Sequence, residues 1–387
     1  VWIDFVAGGL VFGLFTREVA CHLARSLAKI ANPKSKNRAL ARTAGSTWRS
    51  GFRRALRDWF ARAGRDLPWR RDPSPYAVVV SEFMLQQTQV ATVIPYFTRW
   101  LARFPSFAAL ARATEEEVLS LWQGLGYYAR ARNLHRLAQE VVARFGGILP
   151  DDDEAIACLP GIGPYTAGAI ASFAFDRPAP TVDGNIARVL ARLIDFAEPI
   201  DTRAGQEKIW QTARDLLPPK NGREYTSALM ELGALLCTPR APQCLICPVR
   251  EYCAARSPES LPVKKPRARI TPMLEECGWC RRRGRILLEY QSGLRWRGLW
   301  KLPPIAAPDE RRALFEAVYP FTKYRVTLRV FAIPPPATLA ENQAWVPRSQ
   351  IATLPLTAPH RRAIESLLEQ TAAPHRTLRG FRSVEVV

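Results

Sequence analysis

Residues Leu159–Asn185 read LPGIGPYTAGAIASFAFDRPAPTVDGN. An acidic helix start at Asp151, Asp152, Asp153 and Glu154 runs into the turn Leu159-Pro160-Gly161-Ile162-Gly163, and a second helix opens at Pro164. Gly161 and Gly163, two residues apart, free the backbone for positive φ and for close approach. Pro164 suits a first helical turn, where its missing N–H costs nothing. Bare N–H groups beside a helix N-terminus then make a seat for a phosphate. Asp183-Gly184-Asn185 follows a short extended run and starts another helix. A backbone clamp for a polyanion and a carboxylate thus lie a short chain distance apart, and this pairing is the candidate functional centre. Two glycines also occur in helix corners for packing alone, so the turn takes its meaning from its surroundings.

Those surroundings are basic. The formal net charge is +20 over 387 residues. Such an excess suits a polyanion, since each neutralised phosphate releases condensed counterions. An acidic membrane surface is the plain rival, but no stretch approaches the roughly 20 apolar residues that cross a bilayer. With 48% hydrophobic residues the chain can bury sizeable cores, and two domains are the expectation. The apolar opening Val1–Phe15 carries Asp4 and has its positive charges after it, the reverse of a secretory signal. Residues 1–50 are therefore an unassigned N-terminal extension.

Outward from the turn, the spacing of apolar residues near every third or fourth position predicts helices throughout 51–257. They are Phe52–Ala63, Pro75–Gln89, Val93–Arg103, Glu115–Trp122, Ala129–Phe145, Asp153–Cys158, Pro164–Phe175, Asn185–Ile194, Gln206–Leu217 and Arg223–Cys237. A basic, proline-rich linker without core residues occupies 258–272. From 273 to 372 the pattern changes to a small α+β domain. Arg285–Tyr290, Leu299–Leu302, Lys323–Ile333 and Gln343–Val346 read as strands, and Asp309–Val318 and His360–Gln370 as helices. Residues 373–387 form a tail.

Eight cysteines in a disulfide framework would be spread more evenly. Four of them, Cys237, Cys244, Cys247 and Cys253, fall in one loop at a helix end, which is metal arithmetic in a reducing, intracellular setting. Structural zinc usually comes as two C-x2-C pairs or with histidines, and only one such pair is here. The uneven spacing and Pro248 favour an iron–sulfur cluster. Arg240 and Arg250 flank it, so the cluster can serve to fix a basic loop against a polyanion. Cys277 and Cys280 form a separate C-x2-C with too few further ligands for zinc; a labile disulfide or accessory metal is the hypothesis held for them. Cys21 and Cys158 stand alone, Cys158 as a core thiol on a helix face.

With the turn, the aspartate and the cysteine loop in place, the chain resembles the helix–hairpin–helix DNA glycosylases that carry a [4Fe–4S] cluster, and among them the adenine glycosylases of the MutY type. The resemblance rests on LPWRRDPSPYAVVVSEFMLQQTQVATVIPYF (Leu67–Phe97), LWQGLGYYARARNLH (Leu121–His135), LPGIGPYTAGAIASFAF and TVDGNIARVLAR. It is dense from Leu67 to Cys253 and loose beyond. It implies a mainly α helix–hairpin–helix glycosylase domain with an iron–sulfur loop, followed by a small α+β Nudix-like domain. It also implies a substrate, adenine opposite 8-oxoguanine or guanine in duplex DNA, handled by a monomer on intracellular, nucleoid-associated DNA. The bifunctional relatives place a lysine just after the hairpin. Here the helix opens Pro164-Tyr165-Thr166, so base release without Schiff-base chemistry is expected.

Releasing adenine needs a protonated leaving base and a stabilised oxocarbenium-like sugar, hence two carboxyls in opposite protonation states. Glu82 lies in PYAVVVSEFML with Val78, Val79 and Leu85 at helical spacing, which should desolvate it and keep it protonated. Asp183 precedes a helix start, where the dipole favours the anion. A plain N-cap is the ordinary reading of such an aspartate, and it can be both. The resemblance adds Tyr165 and Asn185 around the reaction centre. It puts Trp69, Arg70 and Leu85 in the adenine pocket and Gln87, Thr88, Leu125 and Tyr127 at the lesion pair, Leu125 and Tyr127 on the apolar tip of a glycine loop. One of Tyr127 and Tyr128 is expected in the core. Ser227 departs from the Gln or Glu usual in the family, so base selectivity is the property it touches. In the second domain the run Phe321-Thr322-Lys323 matches a Phe-Ser-His loop that reads the oxidised base, with Lys in place of His. The glutamate-rich Nudix box is missing, so pyrophosphatase activity is not expected. Two other readings stay open: an iron–sulfur glycosylase of different base choice, and a DNA-binding protein without catalysis.

Overall fold

The computed structural model describes residues 45–266, 269–293, 295–306 and 312–370. The expectations for residues 1–44, Cys21 and the tail lie outside them. The described residues separate into two units, one of 45–113 with 129–266 and the other of 114–128 with 269–370.

The first unit is helical. In chain order the helices are α1 (Ser46–Ala63), α2 (Pro68–Arg71), α3 (Pro75–Leu85), α4 (Val90–Arg103), α5 (Phe107–Arg112), α6 (Glu115–Trp122, which belongs to the second unit), α7 (Ala129–Phe145), α8 (Asp153–Ala157), α9 (Pro164–Phe173), α10 (Gly184–Leu193), α11 (Arg203–Asp215) and α12 (Gly222–Leu235). Each expected helix is present, Glu115–Trp122 and Ala129–Phe145 with the expected bounds and the others with one or both ends shifted, and the short α2 and α5 carry no sequence expectation. Around one core cluster Phe52 and Leu56 of α1 meet Ile186 and Leu190 of α10 and Leu229 and Leu232 of α12.

α3 is the central element. Ser74 caps it by accepting from the Ala77 N–H, and Pro75 opens it. Every residue from Tyr76 to Met84 is buried, so the β-branched run Val78-Val79-Val80 is held helical by packing rather than by propensity. α3 ends at Leu85, earlier than the sequence suggests, and Gln87 takes φ 56°. The cause is Arg130 at the start of α7, whose guanidinium donates to the carbonyls of Phe83 (2.9 Å), Met84 (3.0 Å) and Gln86 and to Thr88 Oγ1 (3.2 Å). It fills the role that the next turn's N–H groups would otherwise play. The stretch read as a coreless linker also departs from expectation: Leu261 is buried, and the Ile200 N–H donates to the Val263 carbonyl at 3.0 Å. Cys158 stands at the C-cap of α8 rather than on its face; it is half-buried and disulfide-bonded, not a core thiol.

The second unit holds β1 (Thr271–Trp279), β2 (Arg281–Arg282), β3 (Arg285–Tyr290), β4 (Trp300–Lys301), β5 (Phe315–Phe321), β6 (Tyr324–Ala332), β7 (Gln343–Pro347) and α13 (Ala358–Gln370). One sheet runs β1-β6-β5, with β1 parallel and β5 antiparallel to β6; in the other, β3 pairs with β2, β4 and β7. Of the helix expected at Asp309–Val318, the described part, 312–318, is not helical. Phe315 onward is strand β5, alternating between half-buried and exposed residues and pairing Val318 with Thr327. A hairpin to the strongly β-forming β6 overrides the local charge pattern. β1 was hidden because TPMLEECGW has few β-branched residues; its parallel pairing with β6 comes from residues distant in sequence.

Cys277 and Cys280 are buried free thiols. Cys277 clusters with Glu275 and His360, their ligand atoms all within 4.8 Å of one another. The cluster is unsuited to a cation. The Leu302 N–H donates to His360 Nδ1 at 3.2 Å, which leaves the ring proton of the neutral imidazole on Nε2, 3.5 Å from Glu275. Glu275 is already met by Tyr319 Oη (2.6 Å), Arg295 (3.3 Å) and Lys301 (3.4 Å).

Candidate active site

A cavity of ≈ 660 Å³ opens in the first unit between α1, α2, α3, α9, α10 and α12. Glu82, Tyr165, Asp183 and Asn185 line it together, so the two carboxyls singled out in the sequence share one cleft. Trp69, Arg70, Leu85, Thr88 and Ser227 line it as well. No lysine does, among the described residues.

Glu82 is 3% exposed. Burial lifts its carboxyl to about 7; the Tyr165 hydroxyl, donating to Oε2 at 2.7 Å, opposes this, and the charge of Asp183 adds to it. Burial likewise pushes the Tyr165 hydroxyl well above its ordinary range, so Tyr165 stays a donor. Asp183 is the N-cap of α10, accepting from the Ile186 N–H at 2.6 Å and from Asn185 Nδ2 at 3.1 Å. Burial raises Asp183 too, which the dipole argument alone does not anticipate. Its backbone and side-chain donors and the Arg188 charge pull it back. Of the two acids Asp183 has the more donors and Glu82 has one hydroxyl, so the surroundings favour the charged form more at Asp183 than at Glu82.

Asn185 is itself held. Arg188 Nη2 donates to Asn185 Oδ1 and to the Gly233 carbonyl, both at 2.8 Å, and Arg188 Nε donates to the Cys237 carbonyl at 2.8 Å. Gly233 permits this crossing of α10 and α12, since a Cβ there would stand 2.7 Å from Asn185 Cβ. Arg192, 1% exposed, donates to Cys237 Sγ at 3.2 Å and to the Thr238, Pro239 and Leu261 carbonyls.

Cys237, Cys244, Cys247 and Cys253 line one cavity of ≈ 280 Å³. All four are free thiols; burial, with the other three cysteines adding to it and a backbone hydrogen bond from Val249 opposing it, raises Cys247 to about 11. Four sulfurs close enough to repel as thiolates, beside the guanidinium of Arg192, form the donor set of an iron–sulfur cluster.

The hairpin turn precedes α9. Gly161 has φ +77°, and a Cβ there would meet Asn133 Cβ at 2.7 Å. Gly163 needs neither freedom: its φ is −106° and a Cβ would meet nothing within 4 Å. In the second unit Tyr127 is 49% exposed with φ 45°, whereas Leu125 is 5% exposed and Tyr128 is buried. Tyr127 alone is thus the exposed tip of the glycine loop, and Tyr128 is the core member of the pair. Thr322, with φ 51°, and Lys323 turn the β5–β6 hairpin, and the Arg295 guanidinium lies 4.5 Å over the Phe321 ring and 3.9 Å over Trp296.

Sequence reasoning missed Arg65 and Glu231. Glu231 is 1% exposed and lines the cavity on α12. Burial alone would raise its carboxyl, but hydrogen bonds from Arg65 and Arg70 hold it below its ordinary value. The only signal was a carboxyl in the apolar run Met230–Leu235, the same kind of signal that singled out Glu82.

Comparison with known proteins agrees with this geometry. The family model described as HhH-GPD superfamily base excision DNA repair protein matches residues 80–219, and that of the iron–sulfur binding domain of endonuclease III matches 237–253. Fold and site therefore define a helix–hairpin–helix base-excision repair protein with a [4Fe–4S] loop. The chain is 48% identical over 217 residues to the adenine DNA glycosylase of Homo sapiens, an alignment covering 54% of this chain and 40% of that protein. It is 42% identical to the adenine DNA glycosylase of Mycolicibacterium smegmatis (52% of this chain, 68% of the relative) and 34% identical to one from Buchnera aphidicola (62% and 68%). The chain belongs to the adenine DNA glycosylase family. It spans less than half the length of the mammalian relatives it matches. Among the described residues no helix is long and apolar enough to cross a membrane.

Proposed function

We propose that this chain is a monofunctional glycosylase that removes adenine opposite 8-oxoguanine, or guanine, from duplex DNA by hydrolysing the N-glycosidic bond. The observation that carries the reading is one cavity holding a carboxyl raised to about 7, Glu82, and a hydrogen-bonded carboxylate, Asp183. Glu82 donates its proton to the ring of the extruded base. The C1′–N9 bond breaks with its electron pair on the base, and Asp183 stabilises the cationic sugar. Water attacks C1′, and its proton returns to a carboxylate. Tyr165 orients Glu82, and Asn185, held by Arg188, orients Asp183. The absence of lysine from the cavity lining supports base release without strand cleavage. Trp69, Arg70 and Leu85 form the pocket for the flipped base. Gln87 and Thr88 meet the duplex, and Gly161 and Gly163 seat a phosphate; on the glycine loop the exposed Tyr127 is the residue offered to DNA, and the buried Leu125 supports the loop from within. Phe321, Thr322 and Lys323 face the oxidised base. The cluster, when bound, supplies a rigid anchor for the basic loop. In this reading the chain acts as a monomer on nucleoid DNA inside the cell.

A gel assay tests it with A:8-oxoguanine, A:G, T:G and oxidised-pyrimidine duplexes, each with and without alkali. Cleavage of the adenine strand only after alkali is the expected result. Breakage without alkali would indicate a lyase, and no cleavage at all would leave a DNA-binding protein. Ser227 in the cavity favours a second reading, a different base choice, which cleavage confined to another duplex would establish.

A further inference from the structure

We propose that Glu231 is a positioning residue of the base pocket: it holds Arg65 and Arg70 as a two-armed donor wall, and that wall, rather than the short Ser227 hydroxyl, holds the ring-nitrogen edge of the extruded purine. The inference rests on the base-excision reading above. Glu231 Oε1 accepts from the Arg65 backbone N–H (3.0 Å) and from Arg65 Nε (2.6 Å); Oε2 accepts from Arg65 Nη2 (3.1 Å) and Arg70 Nη2 (2.9 Å). A carboxylate offers about four acceptor sites, so none is left for a base amino group. Glu231 acts through the arginines.

A second tie completes the wall, Arg70 Nη1 donating to the Arg65 carbonyl at 2.9 Å. Arg65 Nη1 and Arg70 Nε meet no protein acceptor among the described residues, both residues line the cavity, and their side chains remain 38% and 22% exposed. These two nitrogens are left for a ligand, with the Arg70 guanidinium steadied 5.3 Å over the Phe60 ring. A single N–H from each arginine suits the ring-nitrogen acceptors of a purine. Two cations against one anion leave the wall positive. During bond cleavage the C1′–N9 electron pair moves onto the base, and a fixed cation stabilises it without reorganising. Ser227, one turn before Glu231, offers no carboxyl or amide to the base.

The test uses the full chain with its cluster and compares Glu231→Gln with Glu231→Asp. It measures the single-turnover rate of base release at saturating protein, and separately the affinity for a duplex carrying an abasic analogue. Glu231→Gln is expected to slow base release about 100-fold while affinity changes less than about threefold, and Glu231→Asp to recover at least part of the rate. An unchanged rate, a loss lying wholly in affinity, or Asp no better than Gln overturns the inference. If Glu231→Gln loses its cluster absorbance or its cooperative melt, the single variants Arg65→Gln and Arg70→Gln decide: a slowed release at kept affinity in both supports the wall, and either one keeping the wild-type rate removes it. A wild-type chain that releases no base overturns the parent reading and this inference with it, whereas an active wild type beside an equally active Glu231→Gln overturns this inference alone.

Discussion

Glu82 in the helical unit and Glu275 in the β-rich unit are both withdrawn from water, and both accept from a tyrosine hydroxyl, at 2.7 Å from Tyr165 and 2.6 Å from Tyr319. They end in opposite states. Burial raises Glu82 to about 7, and the charge that acts on it is that of another acid, Asp183. Burial would raise Glu275 as well, but His360, Tyr319 and Arg295 bring it down to about 2. The His360 ring, buried and anchored through Nδ1, is itself lowered, so it contributes as a neutral Nε2–H donor near neutral pH. Desolvation is common to the two sites and decides nothing by itself; the hydrogen-bond donors and cations around the carboxyl decide. One arrangement makes an acid that can give up a proton at neutral pH, the other a fixed anion at the centre of a packed domain.

The sharpest way to break this comparison is to remove each carboxyl's charge chemistry while keeping its shape. Glu82→Gln should lower single-turnover base release by roughly 10³-fold or more while duplex affinity and melting stay near wild type. A rate within tenfold of wild type would show that Glu82 is not the acid. Glu275→Gln should leave the base-release chemistry intact and instead cost the second unit about 3 kcal/mol, because Arg295 and Lys301 lose their buried counter-ion. Calorimetry of the full chain checks it, and an unshifted melt would mean that solvent already neutralises the two cations.

Acid and base should also act on the two sites in opposite directions. Glu82 has a folded value near 7 against an ordinary 4.5, so its contribution to stability is present below about 4.5 and is lost as pH rises through about 7. Glu275 has a folded value near 2, so its contribution is present above about 4.5 and is lost as pH falls toward 2. Each is worth about 3 kcal/mol at its limit. Base release should fall as pH rises through about 7, where Glu82 loses its proton. Melting curves of wild type, Glu82→Gln and Glu275→Gln from pH 2 to 9 would separate the two, the first variant flattening the alkaline side and the second the acid side.

How far the sequence reveals such sites follows from the same distinction. The burial of Glu82 was legible because PYAVVVSEFML is apolar on every face of a helix, and Asp183 was legible as a cap before Gly184. Partners were not. Arg65 lies 166 residues from Glu231, and no periodicity in either segment announces their contact. Arg130, which ends α3 and sets Gln87 at positive φ, is likewise invisible from the α3 sequence, which by pattern continues to Gln89. The two glycines of the hairpin look alike as letters, yet only Gly161 has a packed neighbour and a left-handed φ. In the second unit the β1–β6 pairing joins residues far apart in sequence, so the local pattern of 309–318 pointed to a helix where a strand forms.

The finest contrast lies in the two hydroxyls. Tyr165 is the one side-chain donor to Glu82 and works against its protonation, so Tyr165→Phe should move the falling limb of the pH–rate profile to higher pH. The rate near pH 7 should then change only a few-fold, since the acid gains protonation while losing its orientation. Tyr319→Phe takes from Glu275 one of several donors; Arg295 and Lys301 remain, and Arg295 Nη2 also loses its 2.7 Å contact with the Tyr319 hydroxyl. The expected cost is about 1 kcal/mol of stability with no displacement of the pH–rate limb. A limb that moved in Tyr319→Phe, or stayed fixed in Tyr165→Phe, would mean that the two carboxyls are not governed by their immediate donors, and that the charge of Asp183 rather than the hydroxyl sets the proton affinity of Glu82.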